Sequence, residues 1–295
     1  MFVCCRIFLE NKPAVERSLI DGIHCASADR VFMVLSEINI YPIKSTKGIS
    51  LQTAFVERRG IQFDRRWMVV NEAGVFLSQR NFPKLALVST QVDSGCLRVS
   101  APGMRTIELP LTPNNSDSFS VQVWDDAARA VSAGDESKKW FSDFLGIACR
   151  VVFMPEESLR PVDPDYAREG DIVSFADAFP LLLISQPSLD DLNSRLVVPV
   201  PMNRFRPNIV VSGCGAYDED KWKIIRVGGT FFHVKKPCSR CVTTTIDQTT
   251  GVQGKEPLAT LSKYRNIDGE VFFGQNIIPE GLGVLHIGDL VEVVS

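Results

Sequence analysis

The sequence predicts a mainly β fold with few helices, built as one or two small barrels. Its 295 residues are enough for a sizeable core, and 45% hydrophobic with 23% charged residues is the composition of a soluble globular protein. Short segments in which polar and apolar residues alternate recur along the chain, and glycine-containing turns separate them.

The first half of the chain is predicted to form short strands and one helix. Alternation and β-branched content predict strands over 37–41, 49–56, 66–71, 75–79, 85–92, 96–100, 121–124 and 150–154. Gly74 stands where a hairpin needs positive φ. A helix is predicted over 135–145, because Trp140 and Phe141 fall on one face and Gly146 supplies a C-terminal stop.

The second half continues in the same pattern after a proline-rich segment. Residues 155–168 are polar and contain three prolines, which is typical of a linker or mobile loop, so domains are predicted over 33–155 and 156–295. Ser185 or Ser188 is expected to cap a short helix. The remaining predicted strands cover 181–184, 209–211, 222–227, 230–234 and 290–294.

Residues 1–32 are predicted to be a disordered upstream extension, with Met33 as the physiological start. Arg6 interrupts the apolar run that would indicate a secretory signal, and no small-residue cleavage site follows. The alternative is a short amphipathic or acylated arm that uses Cys4 and Cys5.

Composition and spacing argue against several classes of protein. A net charge of −3 with charges spread along the chain disfavours nucleic-acid binding, and no uninterrupted apolar run approaches a membrane span. The eight cysteines are irregularly spaced, which predicts free thiols in a reducing cytoplasm. The histidines lack the spacing of metal ligands; they are His24, His233 and His286.

The most informative motif is the Cys-x-x-Cys segment formed by Cys238 and Cys241. Arg240 lies between the two thiols, and a neighbouring guanidinium stabilises a thiolate, the form that attacks or binds a metal. The motif alone fits a zinc half-site, a redox pair or two buried thiols. A second Cys-x-x-Cys, which a four-cysteine zinc site needs, does not occur.

Four polar clusters at predicted strand ends, 41–45, 63–66, 204–208 and 238–241, are candidates for a binding site. Their lysines and arginines, with serine and asparagine donors, are groups that hold a phosphate and a polar heterocycle. Each cluster taken alone is more often a set of solvated turn residues, and the sequence does not show whether the four converge.

Six ordered motifs resemble those of one family. They are residues 41–48 (Tyr-Pro-Ile-Lys-Ser-Thr-Lys-Gly), 64–69 (Asp-Arg-Arg-Trp-Met-Val), 175–180, 203–210, 238–247 and 273–276. Through them, residues 35–295 resemble the MOSC proteins with an N-terminal β-barrel domain, the group of the mitochondrial amidoxime-reducing component and its bacterial cytosolic relatives. The resemblance implies two β-barrel-like domains, an N-terminal MOSC β-barrel domain and a C-terminal MOSC domain, with a cofactor cleft between them.

The resemblance also implies the site residues. The family binds a molybdopterin-type molybdenum cofactor, and Cys241 matches its metal-ligating cysteine, a soft thiolate that must be deprotonated to bind. Asp177 is a candidate proton donor beside the metal. The other positions that match cofactor contacts are Lys44, Ser45, Arg65, Ala178, Phe179, Arg206, Asn208, Ser239, Arg240 and Asn276. Trp67 is expected in the core and Cys214 as a buried or turn thiol.

The leading hypothesis that follows is a cytoplasmic, monomeric molybdenum-dependent oxidoreductase that reduces small N-hydroxylated compounds such as amidoximes, hydroxylamines and base analogues, a detoxification activity. Electrons are expected from an external flavoprotein, with or without an iron–sulfur protein, because the chain has neither a ferredoxin-type cysteine spacing nor a Gly-x-Gly-x-x-Gly fingerprint. Pyridoxal phosphate is not expected. The alternatives are a cofactor or sulfur carrier without turnover, and a dithiol redox protein that uses Cys238 and Cys241.

Overall fold

Strands dominate the residues that the computed structural model describes, 32–113 and 117–295. In the first half of the chain the strands are β1 (Val34–Ile40), β2 (Ile49–Leu51), β3 (Thr53–Glu57), β4 (Gly60–Ile61), β5 (Trp67–Asn71), β6 (Ser89–Val92), β7 (Cys96–Ser100), β8 (Ile107–Pro110), β9 (Ser118–Val123), β10 (Asp126–Ser132) and β11 (Cys149–Phe153). In the second half they are β12 (Leu181–Ser185), β13 (Ile209–Ser212), β14 (Ile224–Val227), β15 (Thr230–Ser239), β16 (Asn266–Ile267), β17 (Glu270–Glu280), β18 (Gly283–His286) and β19 (Val291–Val293).

Helices are few and short in the described part of the chain. The α-helices are α1 (Asp135–Leu145), α2 (Gln186–Ser194) and α3 (Leu258–Leu261), and the 3-10 helices are Pro83–Leu87, Met202–Arg204, Asp218–Asp220 and Val242–Thr245. None of the helices placed within 32–113 and 117–295 is both long enough and apolar enough to cross a bilayer.

The described strands form one large sheet and three small ones. The large sheet has nine strands in the order β19-β14-β15-β17-β12-β13-β1-β2, with β16 paired to β17. A four-stranded sheet follows the order β5-β11-β10-β9, and two three-stranded sheets follow β18-β3-β4 and β6-β7-β8. All pairs within these sheets are antiparallel except β12 with β13.

The large sheet joins the two halves of the chain. In it β1 lies antiparallel to β13, with Ile38 opposite Ile209, and in a separate three-stranded sheet β3 lies antiparallel to β18. Leu35 and Ile38 therefore share one buried cluster with Ile209 and Phe232. Residues 32–295 form one compact unit. The predicted boundary near residue 155 stays a prediction. Residues 1–31 of the predicted upstream extension, with Cys4 and Cys5, lie outside the described residues.

Several predicted elements are confirmed. Gly74 has φ of +79° in the turn between β5 and residues 75–76, where Val70 forms a bridge with Phe76. α1 buries Trp140 and Phe141 and ends at Gly146, which has φ of +74°. Ser185, rather than Ser188, caps α2, since its side chain accepts a hydrogen bond from the Ser188 amide. Trp67 is fully buried, as expected for a core residue.

Three predicted strands are wrong in whole or in part. Residues 83–87 form a 3-10 helix, because Pro83 starts a turn and Leu85 and Ala86 are buried on it; only β6 remains of the strand predicted over 85–92. The strand predicted over 49–56 is two strands, since β2 pairs with β1 and β3 pairs with β18. Residues 75–79 make only isolated bridges.

The segment 155–168, predicted as a linker or mobile loop, contains buried contacts. Arg160 is 3% exposed, and Pro161 forms a bridge with Ile172. Strands β8 and β10 and the full length of β17 were not predicted. β8 alternates but has only four residues, whereas small alanines weaken the pattern of β10, and Gly274 and Gln275 interrupt that of β17.

Candidate functional site

All twelve site residues predicted from the sequence line one cleft of about 270 Å³. These are Lys44, Ser45, Arg65, Asp177, Ala178, Phe179, Arg206, Asn208, Ser239, Arg240, Cys241 and Asn276. The remaining lining residues are Ser78, Arg80, Trp124, Ala176, Leu181, Leu182, Arg204, Phe205, Cys238, Thr243 and Thr244. The four polar clusters thus converge, which the sequence alone did not show.

Five adjacent strands of the large sheet deliver most of these side chains, and Arg65 precedes β5 of the four-stranded sheet. Lys44 and Ser45 follow β1, Asp177 precedes β12, Arg206 precedes β13, and Cys241 follows β15; Asn276 lies on β17, opposite Leu182 of β12. Loops at the ends of neighbouring strands can place residues that are far apart in sequence around one cavity. The register of the sheet therefore sets the geometry of the site.

The end of β15 is irregular, and this brings Cys241 to the cleft. The pairing of β15 with β17 shifts register between Val234 and Lys236 and again between Pro237 and Ser239. Such bulges bend a strand and redirect its side chains. Cys241 then begins the 3-10 helix Val242–Thr245, and its thiol donates a hydrogen bond to Thr243 Oγ1 at 3.4 Å.

Positive charge dominates the cleft. Six lysine or arginine side chains line it against one carboxylate, Asp177; they are Lys44, Arg65, Arg80, Arg204, Arg206 and Arg240. Arg65 is paired with Asp64 at 2.6 Å and Arg204 with Asp247 at 2.8 Å. The excess of cations makes the cleft suited to an anionic ligand.

Two of these arginines carry buried N–H groups with no partner in the described part of the chain, Nε of Arg204 and Nη2 of Arg240. The Arg240 Nε and Nη1 atoms donate to the carbonyl oxygens of Phe273 and Phe205 at 2.8 and 3.1 Å. Arg240 is therefore oriented by backbone groups. Because a buried donor without a partner is costly, the orphaned N–H groups indicate a site completed by a ligand.

Arg65 and Arg206 form one rigid group with Asn208. Arg65 Nη1 donates to Asn208 Oδ1 at 2.8 Å, and Arg206 Nη1 donates to the Thr46 carbonyl at 2.6 Å. Burial lowers the pKa of Arg206 to about 10, which leaves it charged at neutral pH. Asn208 is 1% exposed and its amide also bonds Leu182 and Asn39, so its main effect is to orient Arg65.

Asp177 and Lys44 form an ion pair at the cleft wall. Lys44 Nζ donates to Asp177 Oδ1 at 2.5 Å and to the Phe175 carbonyl at 2.8 Å, and Trp124 Nε1 donates to the same Oδ1 at 2.9 Å. Desolvation raises the pKa of Asp177, but the Lys44 charge and these hydrogen bonds outweigh it and hold the pKa well below its usual range. Asp177 is an anion at neutral pH, and the proton of the pair resides on Lys44.

Backbone strain is concentrated at the cleft. Seven described non-glycine residues have positive φ, and four of them line the cavity: Ser45 at 71°, Arg65 at 49°, Trp124 at 55° and Arg206 at 57°. A bulky residue in the left-handed region costs free energy and persists only where the surrounding structure imposes it. Three of the four, Ser45, Arg65 and Arg206, belong to the converged polar clusters, and Trp124 lies outside them.

Comparison with known proteins decides the family. The family model described as the MOSC N-terminal beta barrel domain matches residues 26–148, and the one described as the MOSC domain matches residues 170–292. The chain belongs to the MOSC family. The resemblance inferred from six motifs is thereby confirmed, together with a mainly β fold that combines an N-terminal MOSC barrel domain with a MOSC domain.

Curated relatives cover most of the MOSC chain. It is 36% identical over 280 residues to mitochondrial amidoxime-reducing component 1 of Mus musculus, across 88% of this chain and 82% of the relative. The human protein of that name is 35% identical over 279 residues, across 88% and 83%. Molybdenum cofactor sulfurase of Oryza sativa subsp. japonica is 34% identical over 261 residues, across 81% of this chain and 32% of the relative.

Some residues of the MOSC cleft were not predicted as site residues. Trp124 follows β9 in the first half of the chain, and Arg80 lies over its ring, with the guanidinium carbon 4.5 Å from the ring centroid. Neither belongs to a polar cluster in the sequence, so only their spatial position reveals them. Arg204 stands inside the candidate cluster 204–208, and Thr243 follows the cluster 238–241 by two residues. Their proximity in sequence to Arg206 and Cys241 was the available signal.

Proposed function

We propose that this MOSC protein binds a molybdopterin-type molybdenum cofactor in the cleft and reduces N-hydroxylated compounds. The observation that carries the proposal is the convergence of Cys241 with six cations in one cleft of a chain whose relatives include amidoxime-reducing components. When bound, the cofactor would supply two electrons to the N–O bond, so that R–N–OH, two electrons and two protons become the amine-type product and water.

The residues present fit such a cofactor. Its phosphate requires several charged donors, and the orphaned N–H groups of Arg204 and Arg240 supply buried donors that have no protein partner within the described residues. Lys44, Ser45, Arg65, Arg206 and Ser239 would complete the anionic and pterin contacts, with Asn276 and the 177–179 loop beside them. Cys241, half-buried at the start of a short helix, would be the thiolate ligand of molybdenum.

The proton donor proposed for the reaction is not the residue expected from the sequence. Asp177 was expected to donate a proton, but its pKa lies well below the usual range, so the carboxylate accepts hydrogen bonds at neutral pH. Lys44 holds the proton of the pair at 5% exposure, and burial lowers its pKa. We therefore assign proton delivery to Lys44 or to a water held by the pair. The Asp177 carboxylate would accept the hydrogen bond from Lys44 and balance its positive charge.

An external redox protein, a flavoprotein with or without an iron–sulfur protein, is proposed as the electron donor. A cytoplasmic location and a monomeric state also stay predictions; the amidoxime-reducing relatives are named mitochondrial. The alternative function is a cofactor or sulfur carrier without turnover. It draws support from the identity to molybdenum cofactor sulfurase.

The first experiment measures molybdenum and pterin in the protein purified from a host that makes the cofactor, together with reduction of benzamidoxime by reduced viologen. We expect close to one molybdenum per wild-type chain and loss of both metal and activity in Cys241→Ala. Because Cys238 shares the cleft and Cys214 packs against the main core cluster, Cys238→Ala and Cys214→Ala are matched controls that should retain the metal.

The outcomes separate the candidate functions. Retention of molybdenum by Cys241→Ala would overturn the ligand assignment. Molybdenum bound without any turnover of N-hydroxylated substrates would favour the carrier, which should also release cofactor readily. A metal-free protein with a Cys238–Cys241 disulfide that cycles would support the dithiol alternative.

A further inference from the structure

One oxygen of the Asp177 carboxylate is engaged and the other is free. Lys44 Nζ and Trp124 Nε1 both donate to Oδ1, while Oδ2 has no hydrogen-bond partner among the described residues. The side chain is 73% exposed, and the residue lines the cleft, so Oδ2 is accessible to a ligand there. An anionic oxygen with free lone pairs is an acceptor for an N–H group.

Trp124 is held in place to donate this hydrogen bond. Its backbone has φ of +55°, its ring packs on Phe76 with centroids 4.7 Å apart, and the Arg80 guanidinium lies over the ring. These contacts fix the indole, and the indole fixes Oδ1 of Asp177. A side chain locked by packing holds a functional group more accurately than one on a free loop.

Arg160 fixes the backbone that carries Asp177. Its guanidinium donates to the carbonyl oxygens of Ser174 at 3.0 Å, Ala176 at 2.6 Å and Asp177 at 2.8 Å, and it pairs with Asp126 at 2.7 Å. The side chain is 3% exposed. Because Asp126 lies two residues after Trp124, Arg160 ties the Trp124 turn and the Asp177 loop into one unit.

We propose that Asp177 Oδ2 accepts an N–H group on the carbon that bears the N–OH group of the substrate, with Trp124 and Arg160 as the residues that position it. This inference rests on the proposed function and names the specificity determinant of that site. It predicts a preference for amidoxime-type substrates, in which an amino group and an N–OH group share one carbon, over oximes in which a methyl group replaces the amino group.

The test compares benzamidoxime with acetophenone oxime, which differ only in an amino or a methyl group on the oxime carbon. A hydrogen bond to a charged group changes selectivity by about tenfold or more, so the wild-type ratio of kcat/KM values should favour benzamidoxime by at least about tenfold. The same ratio is then measured in variants, normalised to molybdenum content.

Asp177→Asn tests the proposal most directly, because it replaces the acceptor Oδ2 by an NH₂ group that donates. Lys44 and Trp124 both donate to Oδ1, so the asparagine must place its oxygen there and its NH₂ group toward the substrate. We expect the preference for benzamidoxime to be lost. Asp143→Asn, at an exposed position of α1 where the carboxylate pairs with Lys139, is the matched control and should keep the wild-type ratio.

Two milder variants test the positioning residues. Trp124→Phe keeps an aromatic ring beside Phe76 but removes the N–H donor and part of the indole, so the ratio should fall by about threefold. Arg160→Lys keeps the charge but not the guanidinium fork that binds three carbonyls. This variant should lower kcat/KM for benzamidoxime more than kcat/KM for acetophenone oxime. An equal loss for both substrates in both variants would show a merely structural role and contradict the proposal.

Binding without turnover provides a second readout that separates this inference from the proposed function. Benzamide and acetophenone carry the same amino and methyl groups but are not substrates of N–O reduction, and their affinities for the purified holoprotein are compared by ligand-observed NMR. Tighter binding of benzamide that disappears in Asp177→Asn supports the inference even if neither oxime is reduced. Equal binding together with an unchanged kcat/KM ratio in Asp177→Asn overturns it, while benzamidoxime reduction itself would still support the proposed function.

Discussion

The ring of Tyr41 packs against Arg65 and Arg206, two of the arginines that line the cleft. The Arg65 and Arg206 guanidinium carbons lie 4.4 and 4.2 Å from the centroid of its ring, and its hydroxyl donates to the Pro207 carbonyl at 3.1 Å. The residue is 2% exposed. Cation–π contacts with one ring hold two like charges close together, an arrangement that suits an anionic ligand.

A pH dependence of stability follows from Tyr41. Burial raises its pKa to about 12, whereas an unfolded tyrosine ionises near 10. Its contribution is therefore fully present below pH 10 and is lost as the pH rises toward 12. Between pH 9 and pH 11 the wild type should lose about 1 kcal/mol more free energy of unfolding than Tyr41→Phe.

Urea unfolding at both pH values measures this difference. Tyr166→Phe, which removes the hydroxyl of another, half-buried tyrosine, serves as the control. Its free energy of unfolding should change with pH as that of the wild type does. Parallel slopes for wild type and Tyr41→Phe would contradict the prediction.

At the level of elements, α1 shows local signals that agree with one another. Asp135 and Glu136 in its first turn complement the helix dipole, Trp140 and Phe141 bury one face, and Gly146 ends it in the left-handed conformation. Each signal acts within a few residues of the chain. For this reason the helix was predictable to the residue.

Gly146 is the point at which α1 can be tested. A Cβ at this position would meet nothing within 4 Å, so Gly146→Ala carries only the conformational cost of positive φ, about 1 kcal/mol. Gly229 likewise has open space around it but not a positive φ, and Gly229→Ala should leave stability unchanged or slightly raised. Thermal unfolding of both variants measures the difference; equal shifts would show that the backbone conformation at Gly146 is not the cause.

At the scale of the whole molecule, the two halves of the sequence share a core. Leu35 and Ile38 of β1 pack in one cluster with Ile209 of β13 and Phe232 of β15. The cleft has the same composite origin, since Lys44 comes from the first half and Cys241 from the second. Stability of the site and stability of the sheet are therefore linked.

Ile38→Ala tests this linkage. Ile38 is fully buried and pairs with Ile209, so the variant should lose about 2–5 kcal/mol of unfolding free energy. Hydrogen exchange should rise together in β1, in β13 and in the residues 238–241 that follow β15. Leu282→Ala, at a side chain 75% exposed, is the control with little expected effect. Faster exchange confined to residues before 155 would contradict a shared core.

Much of the fold was predictable because the signals that carry it are local. Alternation identified β1 and β7, a continuous apolar run identified β12, and turn chemistry placed Gly74 at a positive φ. The failures have local causes as well. The apolar run at 85–92 fits a buried turn of 3-10 helix as well as a strand, and only packing of Leu85 and Ala86 distinguishes the two.

The sequence by itself determined the family, many of the strands and twelve of the residues that line the cleft, because motifs and periodicity are properties of neighbouring residues. Tertiary structure alone decided that four separate clusters converge, that Lys44 neutralises Asp177, and that Trp124 and Arg160 hold it. These relations join residues 17 to 133 positions apart. They depend on strand register and on long-range pairing, which no local pattern encodes.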